Sequence, residues 1–179
     1  VELLTILPQL KRLDVPLIVI MYYLLKPVDR LLALVATVAN VVQTAVLAAN
    51  KLTLVVPLLL LQKPGDIPAS TWEATLSFLA IRLHGYGFGI GLLFFGVACL
   101  VRGYLVFRST YFPRTLGVLL ALAGLAYLVN SVALLLAPAV AATLFPAILA
   151  PALVGEGAFC LWLLVKGVDQ SAWERRLVD

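Results

Sequence analysis

The sequence predicts an all-α fold, an integral membrane helical bundle of four full spans plus a short or broken N-terminal one. Three observations carry that reading. Hydrophobic residues fill 63% of the 179 positions and charged residues 12%, and the mean hydropathy is +1.08, far from the balance of a soluble domain. The apolar residues fall in runs of about twenty, enough for a bilayer core of ~30 Å. Lys and Arg gather at the ends of those runs, where topology signals stand. One domain, 1–179, is expected, with helices at about 15–26, 28–61, 71–107, 114–137 and 146–166.

The chain starts with Val1 rather than Met, so an upstream span is expected. Val15 to Leu25 is apolar but reaches only about half a bilayer at ~1.5 Å per residue. Extending it back to Leu3 would bring Asp14, Arg12, Lys11, Pro8 and Pro16 into lipid, so a short surface helix feeding a broken span is the better expectation. Lys26-Pro27-Val28-Asp29-Arg30 is a charged turn, with Pro27 placed to open the next helix. The run from Leu31 to Leu61 would measure ~46 Å as one straight helix, so it must tilt, bend or protrude, and Asn50, Lys51 and Pro57 mark its far end. Gln62 to Ala69 reads as a loop, followed by a Ser70/Glu73 capping box. The third helix then runs from about Thr71 to Phe107. The fourth runs from Arg114 to Ala137 and is stopped by Pro138; after a short apolar connection, Pro146 or Pro151 opens the last helix, which ends near Lys166.

Small residues recur every seventh position on two of these helices: Gly89, Gly96 and Gly103, then Gly117, Gly124 and Ser131. Each set makes a nearly straight stripe that lets backbones approach where lipid offers no hydrophobic drive. An antiparallel hairpin turning at Thr110 would set Gly103 on Gly117, Gly96 on Gly124 and Gly89 on Ser131. Close packing through Gly85/Gly89 and Gly87/Gly91 also accounts for the Gly85-Tyr86-Gly87 string better than a potassium filter or a nucleotide loop.

Strict alternation puts Lys26, Arg30, Arg102, Arg108, Arg114, Lys166, Arg175 and Arg176 on one side and Lys11, Arg12 and Lys63 on the other. The richer side is expected to be cytoplasmic, with loops 26–30 and 102–114 and the C-terminal tail, in a bacterial inner (plasma) membrane. Glu156 counts out to roughly the midplane, with Asn40 at a similar height. A carboxylate there is costly, so Glu156 is expected to be neutral, or held by a donor such as Asn40, Gln43 or Tyr127, and it is the candidate for ligand or proton work. Arg82, His84, Asn50, Lys51 and Asn130 form an outer polar layer, read as interfacial snorkelling and helix bonding before a head-group site. One His gives no metal site, and Cys99 and Cys160 read as buried structural thiols. No catalytic motif appears, and the basic residues form no patch suited to nucleic acid. No cofactor is expected; the partners would be lipids and other membrane subunits or further copies of the chain.

Several strings resemble a bacterial family of polytopic membrane proteins known as domain of unknown function 4386. They are Tyr23-Leu-Leu-Lys-Pro-Val-Asp-Arg30, Phe94-Phe-Gly96, Gly103-Tyr-Leu, Phe107-Arg-Ser109, Phe112-Pro-Arg114 with Leu116-Gly117, Gly124 with Tyr127-Leu128, Gly155-Glu156, and Leu161-Trp-Leu-Leu-Val-Lys-Gly167. The resemblance implies a helical membrane protein whose first span lies upstream of Val1, and it implies no activity. The departure is at the amino end, where Pro8, Lys11, Arg12, Asp14 and Pro16 replace apolar residues. The first functional expectation is therefore a non-catalytic accessory or packing subunit of a larger membrane assembly. The alternatives are a small transporter or lipophilic-ligand or lipid-binding protein using Glu156, and a membrane-embedded enzyme. The last is weakest, because His84 and Glu156 differ by roughly 10 Å in depth and no nucleophile accompanies them.

Overall fold

The carboxylate of Asp29 accepts a hydrogen bond from Leu32 N at 2.9 Å, and this cap starts the first long helix at Arg30. The computed structural model describes residues 15–61 and 71–178. They are helical almost throughout, with no strand among them. The elements are α1 (Val15–Leu25), α2 (Arg30–Asn50), α3 (Val55–Leu61), α4 (Thr71–Arg108), α5 (Arg114–Leu136), α6 (Pro138–Leu144), α7 (Ala150–Val165) and α8 (Gln170–Val178). Four segments are long and apolar enough to cross a membrane: Arg30–Leu60, Thr71–Arg108, Arg114–Leu136 and Ala147–Val165. The protein is a membrane helical bundle. The expected surface helix before residue 15, the loop 62–69 and the Ser70 side of the capping box lie outside the described residues.

The structure differs from the sequence expectation at three element boundaries. The run over 28–61 is not one α-helix: Lys51–Leu54 tightens into a 3₁₀ turn between α2 and α3. Pro57 explains this, since it has no N–H for the Thr53 carbonyl and its ring crowds that group; the Thr53 hydroxyl turns back to Asn50 O at 2.7 Å. The connection after Pro138 is itself helical, and a second 3₁₀ turn, Ala147–Leu149, leads into α7. Residues 102–108 are the last turns of α4, so the loop is only 109–113 and holds no basic residue; Arg108 and Arg114 stand on the helix ends beside it.

Helix α4 is the centre of the packing, with α5 and α2 against it and α7 against α5. The chain reverses at each connection, so 26–29, 109–113 and α8 share one end, here the tail face. There Met21, Leu25, Leu105, Val106, Tyr111, Phe112, Leu116, Leu120, Phe159 and Ala172 form a buried cluster. Gly167 closes α7 with φ +67, and its N–H reaches Trp162 O at 3.1 Å, the left-handed cap that glycine adopts without strain. Asp169 then caps α8, accepting from Ser171 Oγ and Ala172 N, and those two donors hold its carboxyl below the usual carboxylate range.

Candidate functional site

Ten residues beyond Arg30, α2 presents Asn40 at ~15 Å from the tail face, and nine residues before Val165, α7 presents Glu156 at ~14 Å. Both line one cavity of about 380 Å³. Its walls come from five helices: Leu17, Ile18 and Met21 of α1, Asn40 and Gln43 of α2, Phe95, Cys99 and Arg102 of α4, Leu120 of α5, and Glu156, Phe159, Cys160 and Leu163 of α7. The half-length helix α1 therefore has a structural task, closing the tail-side wall.

The polar groups are unevenly satisfied. Asn40 Nδ2 donates to Gln43 Oε1 at 2.8 Å, and the Thr44 hydroxyl bonds the Asn40 carbonyl at 2.9 Å. The amides thus hold each other, and neither holds the acid. Glu156 has the Tyr127 hydroxyl within hydrogen-bonding reach, while its Oε1 is buried with no partner among the described residues. Arg102 Nη2 is buried in the same condition. Arg102 and Glu156 attract each other electrostatically, but no hydrogen bond or ion pair joins them among the described residues. A buried polar atom without a partner is costly, more so at this depth, where the surroundings are hydrocarbon.

Arg102 is the member of this set that sequence reasoning missed. Its position six residues before the end of α4 places it ~9 Å inside the helix terminus rather than in a loop. The signal was present: the apolar and aromatic run Gly103 to Phe107 continues past it, and Arg108 already supplies the interfacial charge. The cysteines also need correction. Cys99 is buried, but Cys160 is exposed on α7, and both line the cavity.

A second space of about 690 Å³ opens on the other side of Glu156, lined by Tyr127, Pro146, Ala147, Leu149, Ala150, Leu153, Glu156 and Gly157. Gly157 leaves it open, since a Cβ there would meet nothing within 4 Å; Gly155, in contrast, sits against the Leu119 carbonyl. Only one of the two flanking glycines serves close packing.

The outer polar layer divides. Asn50 Nδ2 donates to His84 O at 2.9 Å, His84 Nδ1 lies 3.2 Å from both Thr53 Oγ1 and Asn50 O, and Gly87 makes room for the Asn50 amide. Arg82 lies over the Phe78 ring and, like Lys51, is exposed; Asn130 on α5 forms no hydrogen bond with that cluster. This layer joins α2 to α4, and the structure does not assemble its five residues into one site.

Along the hairpin, Gly103 and Gly117 lie face to face, each with the other's carbonyl 2.7 Å from where its Cβ would stand. Gly96 and Gly124 meet in the same way. Gly89, however, packs on Leu134, while Ser131 is fully buried with its Oγ unpartnered among the described residues. Gly91 faces Leu47 of α2, and Gly85 faces open space, so it plays no part in close packing.

The family model described as Domain of unknown function (DUF4386) matches residues 11–167. An uncharacterized protein of Archaeoglobus fulgidus is 27% identical over 155 residues, which cover 87% of this chain and 77% of the relative. No solved structure matches.

Proposed function

This chain belongs to the DUF4386 family, a domain of unknown function, and from that premise and the geometry of the cavity we propose that it binds an amphiphilic small molecule between its membrane helices. One observation carries the reading: Arg102 and Glu156 line one cavity whose other walls are mostly apolar, and each has a buried side-chain atom, Nη2 and Oε1, without a partner among the described residues. The volume, about 380 Å³, falls within the roughly 300–1,000 Å³ of small-molecule sites. Arginine keeps its charge in any protein site, so the ligand head presents an acceptor to it; a donor on the same head meets Glu156. A hydroxyl or a carboxylic acid supplies both, and a hydrocarbon chain suits Leu17, Ile18, Phe95 and Leu163.

The orientation belongs to the same proposal. Lys26, Arg30, Arg108, Arg114, Lys166, Arg175 and Arg176 stand at the tail face, while the described residues of the opposite end carry Lys51 and Arg82. That bias favours a cytoplasmic tail face in a plasma membrane. The accessory-subunit reading draws on no contact particular to this bundle, because exposed apolar side chains around every span are what lipid covers.

Native mass spectrometry of the protein released gently from its own membrane tests the choice. The expected result is the chain alone, or copies of it, carrying one small bound mass per chain, lost in Glu156→Gln and in Arg102→Gln. Other protein subunits in fixed ratio, with no small mass, would replace the proposal with the accessory role.

A further inference from the structure

Glu156 lines two spaces at once, the inner cavity and the cleft between α5 and α7 that opens outward. The partition between them is thin. Tyr127 lines the cleft and reaches Glu156, while its ring packs on Phe95, which lines the cavity, with centroids 5.3 Å apart. The mouth of the cleft faces the bilayer: Leu153 is 78% exposed, and Pro146, Ala147 and Ala150 are exposed beside it. Next to the acid, Gly157 contributes no side chain, and a Cβ there would meet nothing within 4 Å. Close packing therefore does not explain this glycine.

We propose that the cleft is a lateral portal, through which a single-chain amphiphile passes from the bilayer to the inner cavity, its polar head handed from Glu156 to Arg102. The inference rests on the amphiphile-binding reading and adds the route. An amphiphile in the bilayer has its chain already in hydrocarbon, so entry from the side moves only its head past Tyr127 and Glu156. Entry from water at the tail face would have to pass the cluster of Tyr111, Phe112 and Leu116, which are buried together.

The test separates rate from affinity. The probes are stearic acid and stearyl alcohol, each nitroxide-labelled near the methyl end, with the full chain in vesicles. Electron paramagnetic resonance reads the immobilised fraction at equilibrium and its decay on dilution into unlabelled amphiphile. Gly157→Leu puts a side chain into the cleft from a position whose Cβ would meet nothing within 4 Å, and it is expected to slow exchange roughly tenfold while leaving the equilibrium fraction within about twofold, because the obstacle lies on the path and not in the bound state. Leu153→Ala widens the mouth and is expected to speed exchange. Unchanged exchange in both variants, with normal binding, overturns the portal and leaves the cavity reading standing. If the unaltered protein immobilises neither probe, the cavity reading fails and takes the portal with it.

Discussion

The Tyr111 hydroxyl donates to the Leu24 carbonyl at 2.5 Å, joining the α4–α5 turn to the last turn of α1 across 87 positions of sequence. Trp173 Nε1 of α8 reaches the same oxygen at 3.3 Å. A carbonyl left over at a helix end is thereby satisfied twice, by a loop and by the tail helix. This fixes α1, one wall of the cavity, in place.

Burial pushes the Tyr111 hydroxyl up to about 12 from an ordinary 10.0. The folded pKa is the higher one, so the contribution is fully present below about pH 10 and is lost as the pH rises through about 12. Alkaline titration in detergent is expected to release α8 over that interval, read as a change in Trp173 fluorescence. Tyr111→Phe should cost about 1 kcal/mol at neutral pH, typical of one hydrogen bond, and should remove this alkaline step. An identical step in the variant would mean that another group is responsible.

The glycine contacts predict a sharp contrast along one sequence. A Cβ on Gly117 would stand 2.5 Å from Phe107 N, which is backbone and cannot rotate away. Gly117→Ala should therefore force α4 and α5 apart at a cost of about 2 kcal/mol. Gly85→Ala adds a methyl to open space and should be neutral or stabilising by up to about 1 kcal/mol through helix propensity alone. Unfolding by sodium dodecyl sulfate in mixed micelles orders the two; equal effects would refute the assigned faces.

Asn50 and Gly87 are a coupled pair. A Cβ on Gly87 would fall 2.1 Å from Asn50 Oδ1, so Gly87→Ala should displace the amide and break its bond to the His84 carbonyl. Asn50→Ala alone loses that bond, for about 1 kcal/mol. The double variant should then be more stable than Gly87→Ala alone, because the obstacle is gone. Strict additivity in the same unfolding assay would show that the two do not meet.

How far the sequence carried depended on the kind of signal. Spans were legible because a bilayer demands long apolar runs, and Pro138 stops a helix by chemistry that acts locally; Pro27 was expected to open the next helix, but it lies in the turn and Asp29 supplies the cap. The 3₁₀ turn ahead of Pro57 was harder, since proline signals a break without saying which neighbours yield. Arg102 was misplaced for a different reason: hydropathy counts charge and cannot say whether an arginine at the end of a window points to water or to a cavity. Likewise, Asn40 turned to Gln43 instead of Glu156, a choice between partners of similar depth that only the helix rotations decide. Gly157 looked like Gly155 in sequence; one meets a carbonyl and the other meets nothing.

Arg102 and Glu156 give the last prediction, which divides stability from function. Arg102 and Glu156 attract each other without being paired; removing one leaves the other with less compensation in the bundle, so Arg102→Met and Glu156→Leu should each be destabilising, by about 1 kcal/mol. Replacing both with apolar residues leaves nothing to strand, and the double variant should recover most of that loss, or exceed the parent in stability. A pair whose purpose is structural would be dispensable at that point. A pair that holds a ligand head would not: the recovered double variant should retain no bound amphiphile at any stability. Native mass spectra and unfolding curves of the four proteins read both quantities, and a double variant that still carries the bound mass would remove Arg102 and Glu156 from the site.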